Sequence, residues 1–233
     1  MDREQVDSLY YYHIFNLGVD KRQVFIDKWD YVRFIESMSE FNQADITGGL
    51  YNKKVKEYRE EKVKESNSLK GNWIPKQTTQ DEKLIDIICY CLNPNHYHLL
   101  VKQNKEGGIS KFMHKLGLGY TNYFNNKYKR FGSLFQGKYK YKPIKSTFDL
   151  LKVSVYVNCN TEIHNITKQK NWVWSSYLDY VDMRDGALCN KNEIYEEFRN
   201  INEIKKPKEY EKVCNELIPE IKAVKNLEKY GLE

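Results

Sequence analysis

The chain alternates between segments of two-residue and 3.6-residue apolar periodicity, and these segments set out an order of elements. Residues 10–17 (YYYHIFNL) are aromatic and β-prone and end at Gly18, which predicts a strand. Trp29, Val32, Phe34, Ile35, Met38 and Phe41 recur at helical intervals, which predicts a helix over 28–41. Residues 43–80 break the pattern. They are polar, lysine-rich and aperiodic, and read as a long insertion with a short helix near 53–64. Apolar runs at 84–92 (LIDIICYCL) and 96–102 (HYHLLVK) predict two strands joined by an Asn93-Pro94-Asn95 turn. Ile109, Phe112, Met113, Leu116, Tyr120, Phe124 and Tyr128 form one stripe of a helix over 109–130. Residues 132–144 read as a turn followed by a strand. Residues 146–160 read as a helix whose core stripe is Phe148, Leu151, Val155 and Cys159, opened by a Ser146–Asp149 capping box. An aromatic patch at 172–180 and helices at 192–199 and 209–229 complete the chain. Strand, helix, strand, strand, helix, strand, helix predicts an α+β fold of the ferredoxin-like or RRM-like kind. In it, helices cover one face of a mostly antiparallel sheet. The expected organisation is a domain over 1–182, with the insertion inside it, and a C-terminal helical extension over 183–233.

Composition narrows the class. The 233 residues are 40% hydrophobic and 30% charged. No apolar run reaches the roughly 18 residues of a membrane span, and the first residues have no signal-peptide character. Five scattered cysteines, an odd number, speak against a disulfide framework and for a reducing, cytoplasmic setting. The formal net charge of +6 conceals a strong asymmetry. Between Gly107 and Phe148 there is no acid, whereas Lys111, Lys115, Lys127, Lys129, Arg130, Lys138, Lys140, Lys142 and Lys145 all fall there. Tyr120, Tyr123, Phe124, Tyr128, Phe131, Phe135, Tyr139 and Tyr141 are interleaved with them. Cations for phosphates and rings for bases are what a nucleic-acid surface requires.

Two local constellations carry chemistry. In His96-Tyr97-His98 the alternation of a strand turns both imidazoles to one face, where they can share a divalent ion. A rival reading sets Cys89 and Cys91 beside them as a structural zinc site, against the simpler one of small buried thiols. On the 146–160 helix, Lys152, Tyr156 and Asn160 follow at i, i+4 and i+8, aligning a cation, a phenol and an amide. His114 reads as a surface residue of the basic helix.

Several stretches carry a family resemblance. Asn93-Pro94-Asn95-His96-Tyr97-His98-Leu99-Leu100-Val101 resembles the signature of the single-tyrosine HUH (His–hydrophobic–His) transposases. The run from Gly132 to Lys140 (GSLFQGKYK), Tyr156-Val157-Asn158-Cys159-Asn160 and Trp174-Ser175-Ser176-Tyr177 resemble its REP-associated (repetitive extragenic palindrome) branch. The resemblance implies metal ligation by His96, His98 and Asn160, with Mg²⁺ or Mn²⁺ as the cofactor. It implies Tyr156 as nucleophile, with Lys152 one turn earlier favouring the phenolate. The activity implied is cleavage and rejoining of hairpin-bearing single-stranded DNA through a 5′-phosphotyrosine. Lys111, Lys115, Lys127, Lys129, Arg130, Gln136, Lys138, Lys140 and Lys142 would hold the DNA. Family members act as monomers or as homodimers, and no membrane partner is implied. Two departures stand out: Asn160-Thr161-Glu162 replaces the branch's more usual Asn-Pro-Val, and Tyr97 is bulkier than the customary aliphatic residue. A non-catalytic hairpin-binding domain and a zinc-stabilised structural protein are the alternatives.

Overall fold

A computed structural model describes residues 11–43, 83–199 and 207–230, the side chains of the last helix through Lys225. The expected insertion beyond Gln43 lies outside the described residues.

The first strand, β1 (Tyr11–Leu17), is followed by a 3-10 turn at Val19–Lys21 and by helix α1 (Lys28–Glu40). Asp27 opens α1 by accepting from the Trp29 and Asp30 N–H groups, and Asp30 returns a carboxylate to the Asp27 N–H. This reciprocal box satisfies amides that the helix itself leaves without partners. Strands β2 (Ile85–Asn93) and β3 (His96–Gln103) form a hairpin through Pro94-Asn95. Helix α2 (Gly108–Lys127) and strand β4 (Lys140–Ile144) follow, then α3 (Thr147–Asn158), α4 (Asn160–Ile163), α5 (Tyr177–Tyr180), α6 (Asn192–Phe198) and α7 (Pro207–Tyr230). The sheet order is β2-β3-β1-β4 and every pairing is antiparallel, as an α+β fold of the expected class requires.

Alternation along the strands gives the sheet two apolar faces, and each has its own helical layer. Tyr12 and Ile14 of β1 and Tyr97, Leu99 and Val101 of β3 face α1 and α2 in one core. Tyr97 packs its ring against Phe34 and Phe135, with centroids 5.1 and 5.5 Å away, so the bulky residue between the two histidines fills that core. Leu100 of β3 and Ile144 of β4 face α3, α6 and α7 in a second core. Helices therefore cover both faces, beyond the one expected. The stretch after residue 182, expected as an extension, supplies Ile194, Phe198, Tyr210, Cys214 and Ile218 to this second core. A register shift between Ile87 and Cys89 lets Ile88, Cys89 and Cys91 all enter it.

The 172–180 patch has a structural task. The Leu92 N–H donates to the Trp174 carbonyl and the Ser176 N–H donates to the Tyr90 carbonyl, covering the open edge of β2. Trp174 also stacks on Tyr31 at 4.6 Å.

Candidate active site

The β2–β3 hairpin builds one wall of the site. Pro94 has no N–H to offer, and its carbonyl accepts from the Val24 and Phe25 amides at 2.8 and 3.0 Å, which pins the turn to the segment before α1. Asn95 Oδ1 lies 2.6 Å from His96 Nδ1. That oxygen can only accept, so Nδ1 carries the proton and the lone pair of His96 sits on Nε2. Asn93 is fully buried and its Nδ2 donates both to His96 Nε2 (2.8 Å) and to Asn160 Oδ1 (2.7 Å).

The second wall is α3. Ser146 accepts from the Asp149 N–H at its start, as the capping pattern predicts. Leu150, Leu151, Ser154, Val155, Val157 and Asn158 are buried. Regular helix ends at Asn158, two residues before the expected end, and Cys159 turns the chain into the short α4. The turn keeps Asn160 within reach of the hairpin. The Asn-Thr-Glu sequence that departs from the branch thus leaves the amide in the site. Phe148, expected in the core stripe, is instead 57% exposed.

Tyr156 is half-buried amid imidazoles. Its ring lies edge-on to His98 at 5.5 Å and to His13 at 5.7 Å between centroids, with His164 at 6.4 Å. His96 and His98 are 5.1 Å apart, and His164 is 6.0 Å from His96. Three of the chain's five histidines therefore face one phenol, and His96 sits beside two of them. The fifth, His114, is exposed on α2, as expected. Burial is the main cause that pushes His96, His13 and His164 down to about 4, and it pushes His98 well below the usual imidazole range. For His96 the Asn160 amide opposes this and the Lys225 charge adds to it. All four rings are neutral at pH 7, the state in which an imidazole nitrogen can ligate.

Sequence reasoning missed three members of the cluster. His13 and His164 lie far from the His-x-His pair in sequence. Lys225 comes from α7, places its ammonium 5.4 Å from the Tyr156 ring centroid and contacts His164. The strand alternation of residues 10–17 could have put His13 on the face opposite Tyr12 and Ile14, but which strand it would pair with has no local signal. Lys152, expected beside Tyr156, instead lies over Phe148 at 4.3 Å, because the i−4 ring is the nearest apolar surface its stem can cover. The cation at the phenol is Lys225.

The expected DNA-contacting residues divide between two faces. Register places Lys142 opposite His13 and Lys140 opposite Phe15, so both share the histidine face, where both are exposed. Lys138 and Gln136 are exposed in the loop before β4, and Lys129 and Arg130 sit in the turn after α2. Lys111 and Lys115 ride on α2, behind the other face, and Lys115 donates to the Gln43 carbonyl. Lys127 is not available as expected. It binds Asp27 and Asp30, each at 2.8 Å. Desolvation disfavours its ammonium, yet hydrogen bonds to the two carboxylates outweigh this and raise its pKa. Most of the interleaved rings are core as well: Tyr120, Phe124 and Phe135 are buried, and only Phe131 is almost fully exposed, at 95%.

The zinc reading of Cys89 and Cys91 does not survive. Both thiols are fully buried, pushed up by burial, and directed at Ser154 O and Asn93 Oδ1. Among the described residues no three His, Cys, Asp or Glu side chains are grouped to hold a metal. A set of two histidines and an amide is a different case, and it fits a divalent ion. The tautomer of His96 puts its lone pair on Nε2, where it accepts from Asn93 Nδ2 and could instead face an ion, and Asn160 Nδ2 is a buried polar atom without a hydrogen-bond partner. A half-turn of that amide exchanges the nitrogen for an oxygen, a donor suited to a hard cation.

The site is thus an antiparallel sheet with a histidine pair on a central strand, facing a tyrosine on a packed helix. Residues 51–160 match the family described as "Transposase IS200 like". The resemblance carried by the motifs at 93–101, 132–140 and 156–160 is thus a family match over that stretch. A solved REP-associated tyrosine transposase bound to a REP hairpin is similar in structure at 13% identity and a TM-score of 0.45, covering 78% of this chain and 84% of that one. No curated protein matches the chain. No helix among the described residues is long and apolar enough to cross a membrane.

Proposed function

We propose that this protein is a transposase-type enzyme that cleaves and rejoins single-stranded, hairpin-bearing DNA with Tyr156 as nucleophile. The observation that carries this reading is the Tyr156 ring edge-on to His98, with His96 beside His98 and Asn160 joined to His96 through Asn93. The IS200-like family match over 51–160 supports it. His96, His98 and Asn160 would hold Mg²⁺ or Mn²⁺, which supplies Lewis-acid polarisation of the scissile phosphate when bound. Tyr156 Oη forms a bond to phosphorus as the bond to the 3′ oxygen breaks. The phenolic proton leaves, and the 3′ oxygen takes one up. The ester is conserved in the 5′-phosphotyrosine, so a later 3′-hydroxyl can reverse the step without an external energy source. Lys225, its ammonium 5.4 Å from the Tyr156 ring centroid, is the cation beside the phenol. Lys140 and Lys142 extend the histidine face outward and would receive the strand's phosphates.

The test is incubation with a hairpin-bearing single strand and Mn²⁺. A covalent protein–DNA adduct that maps to Tyr156 is expected. Tyr156→Phe removes one oxygen and keeps the ring, so it should abolish the adduct while leaving the melting temperature and hairpin binding unchanged. An adduct on another tyrosine, or binding with no adduct under any divalent ion, would overturn the reading; the second result would make this a hairpin-binding module.

A further inference from the structure

His13 lies on β1, the strand between β3 and β4, and belongs to none of the motifs that carry the family resemblance. Its Nε2 sits 2.9 Å from His98 Nδ1, with His13 9% and His98 6% exposed. The rings are nearly parallel, 22° between planes, with centroids 5.1 Å apart. Two imidazole nitrogens 2.9 Å apart need one N–H between them, so a single proton lies between the facing nitrogens.

That proton has two possible owners, and they differ in consequence. If His13 donates from Nε2, then His98 accepts at Nδ1 and carries its own proton on Nε2, which leaves it no lone pair for a cation. If His98 donates from Nδ1, its Nε2 is a lone-pair donor and His13 holds its proton on Nδ1. His96 faces no such choice, because Asn95 Oδ1 is an obligate acceptor. The two members of the histidine pair are therefore fixed by different means: His96 by an amide oxygen one residue away, His98 by an imidazole brought from 85 residues away in the chain.

We infer that His13 is a positioning residue for the metal site: by accepting at Nε2 the Nδ1–H of His98, it holds His98 in the tautomer whose Nε2 can ligate a divalent ion. This rests on the reading of His96, His98 and Asn160 as metal ligands. Partners of this kind set the tautomer and ring orientation of a ligating histidine, and their loss weakens metal affinity by about 10–100-fold. The role needs an acceptor at position 13, not an imidazole as such.

Mn²⁺ binding to the full chain without DNA, read by titration calorimetry or electron paramagnetic resonance, tests this apart from cleavage. His13→Leu should weaken Mn²⁺ binding about 10–100-fold. His13→Gln, whose Oε1 can accept, should restore it to within about threefold of wild type, although both variants remove the same imidazole packing. Equal loss in the two variants, or undiminished binding by His13→Leu, overturns the inference. Long-range ¹H–¹⁵N correlation of the Mg²⁺-saturated wild type gives an answer even where His13→Leu fails to fold. His98 should be protonated at Nδ1, with the unprotonated nitrogen of His13 at Nε2. A proton on His13 Nε2 in the loaded protein, with His98 still protonated at Nδ1, overturns the inference alone. Failure of the wild type to bind either ion overturns the ligand reading with it.

Discussion

The basic segment looks uniform in sequence, yet the structure gives its cations opposite roles, and a salt titration separates them. Lys140 and Lys142 are exposed on the histidine face, whereas the charge of Lys127 is spent on Asp27 and Asp30. For single strands each neutralised phosphate contributes about 0.7 to the slope of log K against log salt. Lys140→Ala combined with Lys142→Ala should therefore flatten the slope by about 1.4. At about 0.15 M salt each contact corresponds to roughly 0.6 log unit, so affinity for a hairpin with a single-stranded flank should fall roughly fifteenfold. Lys127→Ala should leave the slope unchanged and cost about 1–3 kcal/mol of folding free energy, because it strips a charged donor from the fully buried Asp30. Fluorescence anisotropy across a salt series supplies the slopes, and urea denaturation supplies the stability. A slope that falls as much for Lys127→Ala as for the double variant would refute the division of the segment.

Two further predictions concern the α1 layer. Asp30 accepts from the Ile26 and Asp27 amides, from the Tyr123 and Tyr128 hydroxyls and from Lys127, so Asp30→Ala should cost about 3–5 kcal/mol in urea denaturation, and a loss under about 1 kcal/mol would show the network to be dispensable. Glu36 is raised to about 7 chiefly by burial, with Arg33 opposing and Glu40 adding. A raised carboxyl pKa means that the unfolded chain gives up its proton first, so stability falls as pH rises from about 4.5 to about 7. Glu36→Gln should stabilise the protein by about 3 kcal/mol at pH 8 and have no effect at pH 4, and an equal gain at both would refute the shift.

Where a residue's fate depends on its near neighbours, the chain is easy to read. Helical stripes placed α1 and α2 within a few residues, since both pack one face on a sheet. That His96 and His98 share a face was legible because the strand period fixes their directions, whereas Asn160 lies past the break at Cys159, where the helix period no longer applies. The same logic failed where a residue's partner is distant. Nothing near His13 announces His98, and nothing in the charged α7 announces that Lys225 reaches Tyr156. Charge without acids nearby in sequence misled for Lys127, whose acids come from the start of α1. Ring-rich sequence misled for Tyr120 and Phe124, because an aromatic stripe on a helix is core first and nucleic-acid platform only where it faces outward.

The position of β1 between β3 and β4 bears on the order in which the site comes into being. Its partners are Lys102 to His96 on one side and Ile144 to Lys140 on the other. The strand carrying His13 is thus made before both of its neighbours and must wait for them. At about 5–20 residues per second, ribosomal synthesis puts roughly 7–30 s between His13 and Asn160. Closing loops of this length is slow to be rewarded by contacts. Tyr156 emerges after His13, His96 and His98, His164 follows it, and Lys225 comes later still. A nascent chain thus does not bring Tyr156 against His13 and His98 until the sheet is closed and α3 is packed on it, and a truncated product lacking α3 would retain His13, His96 and His98 without Tyr156.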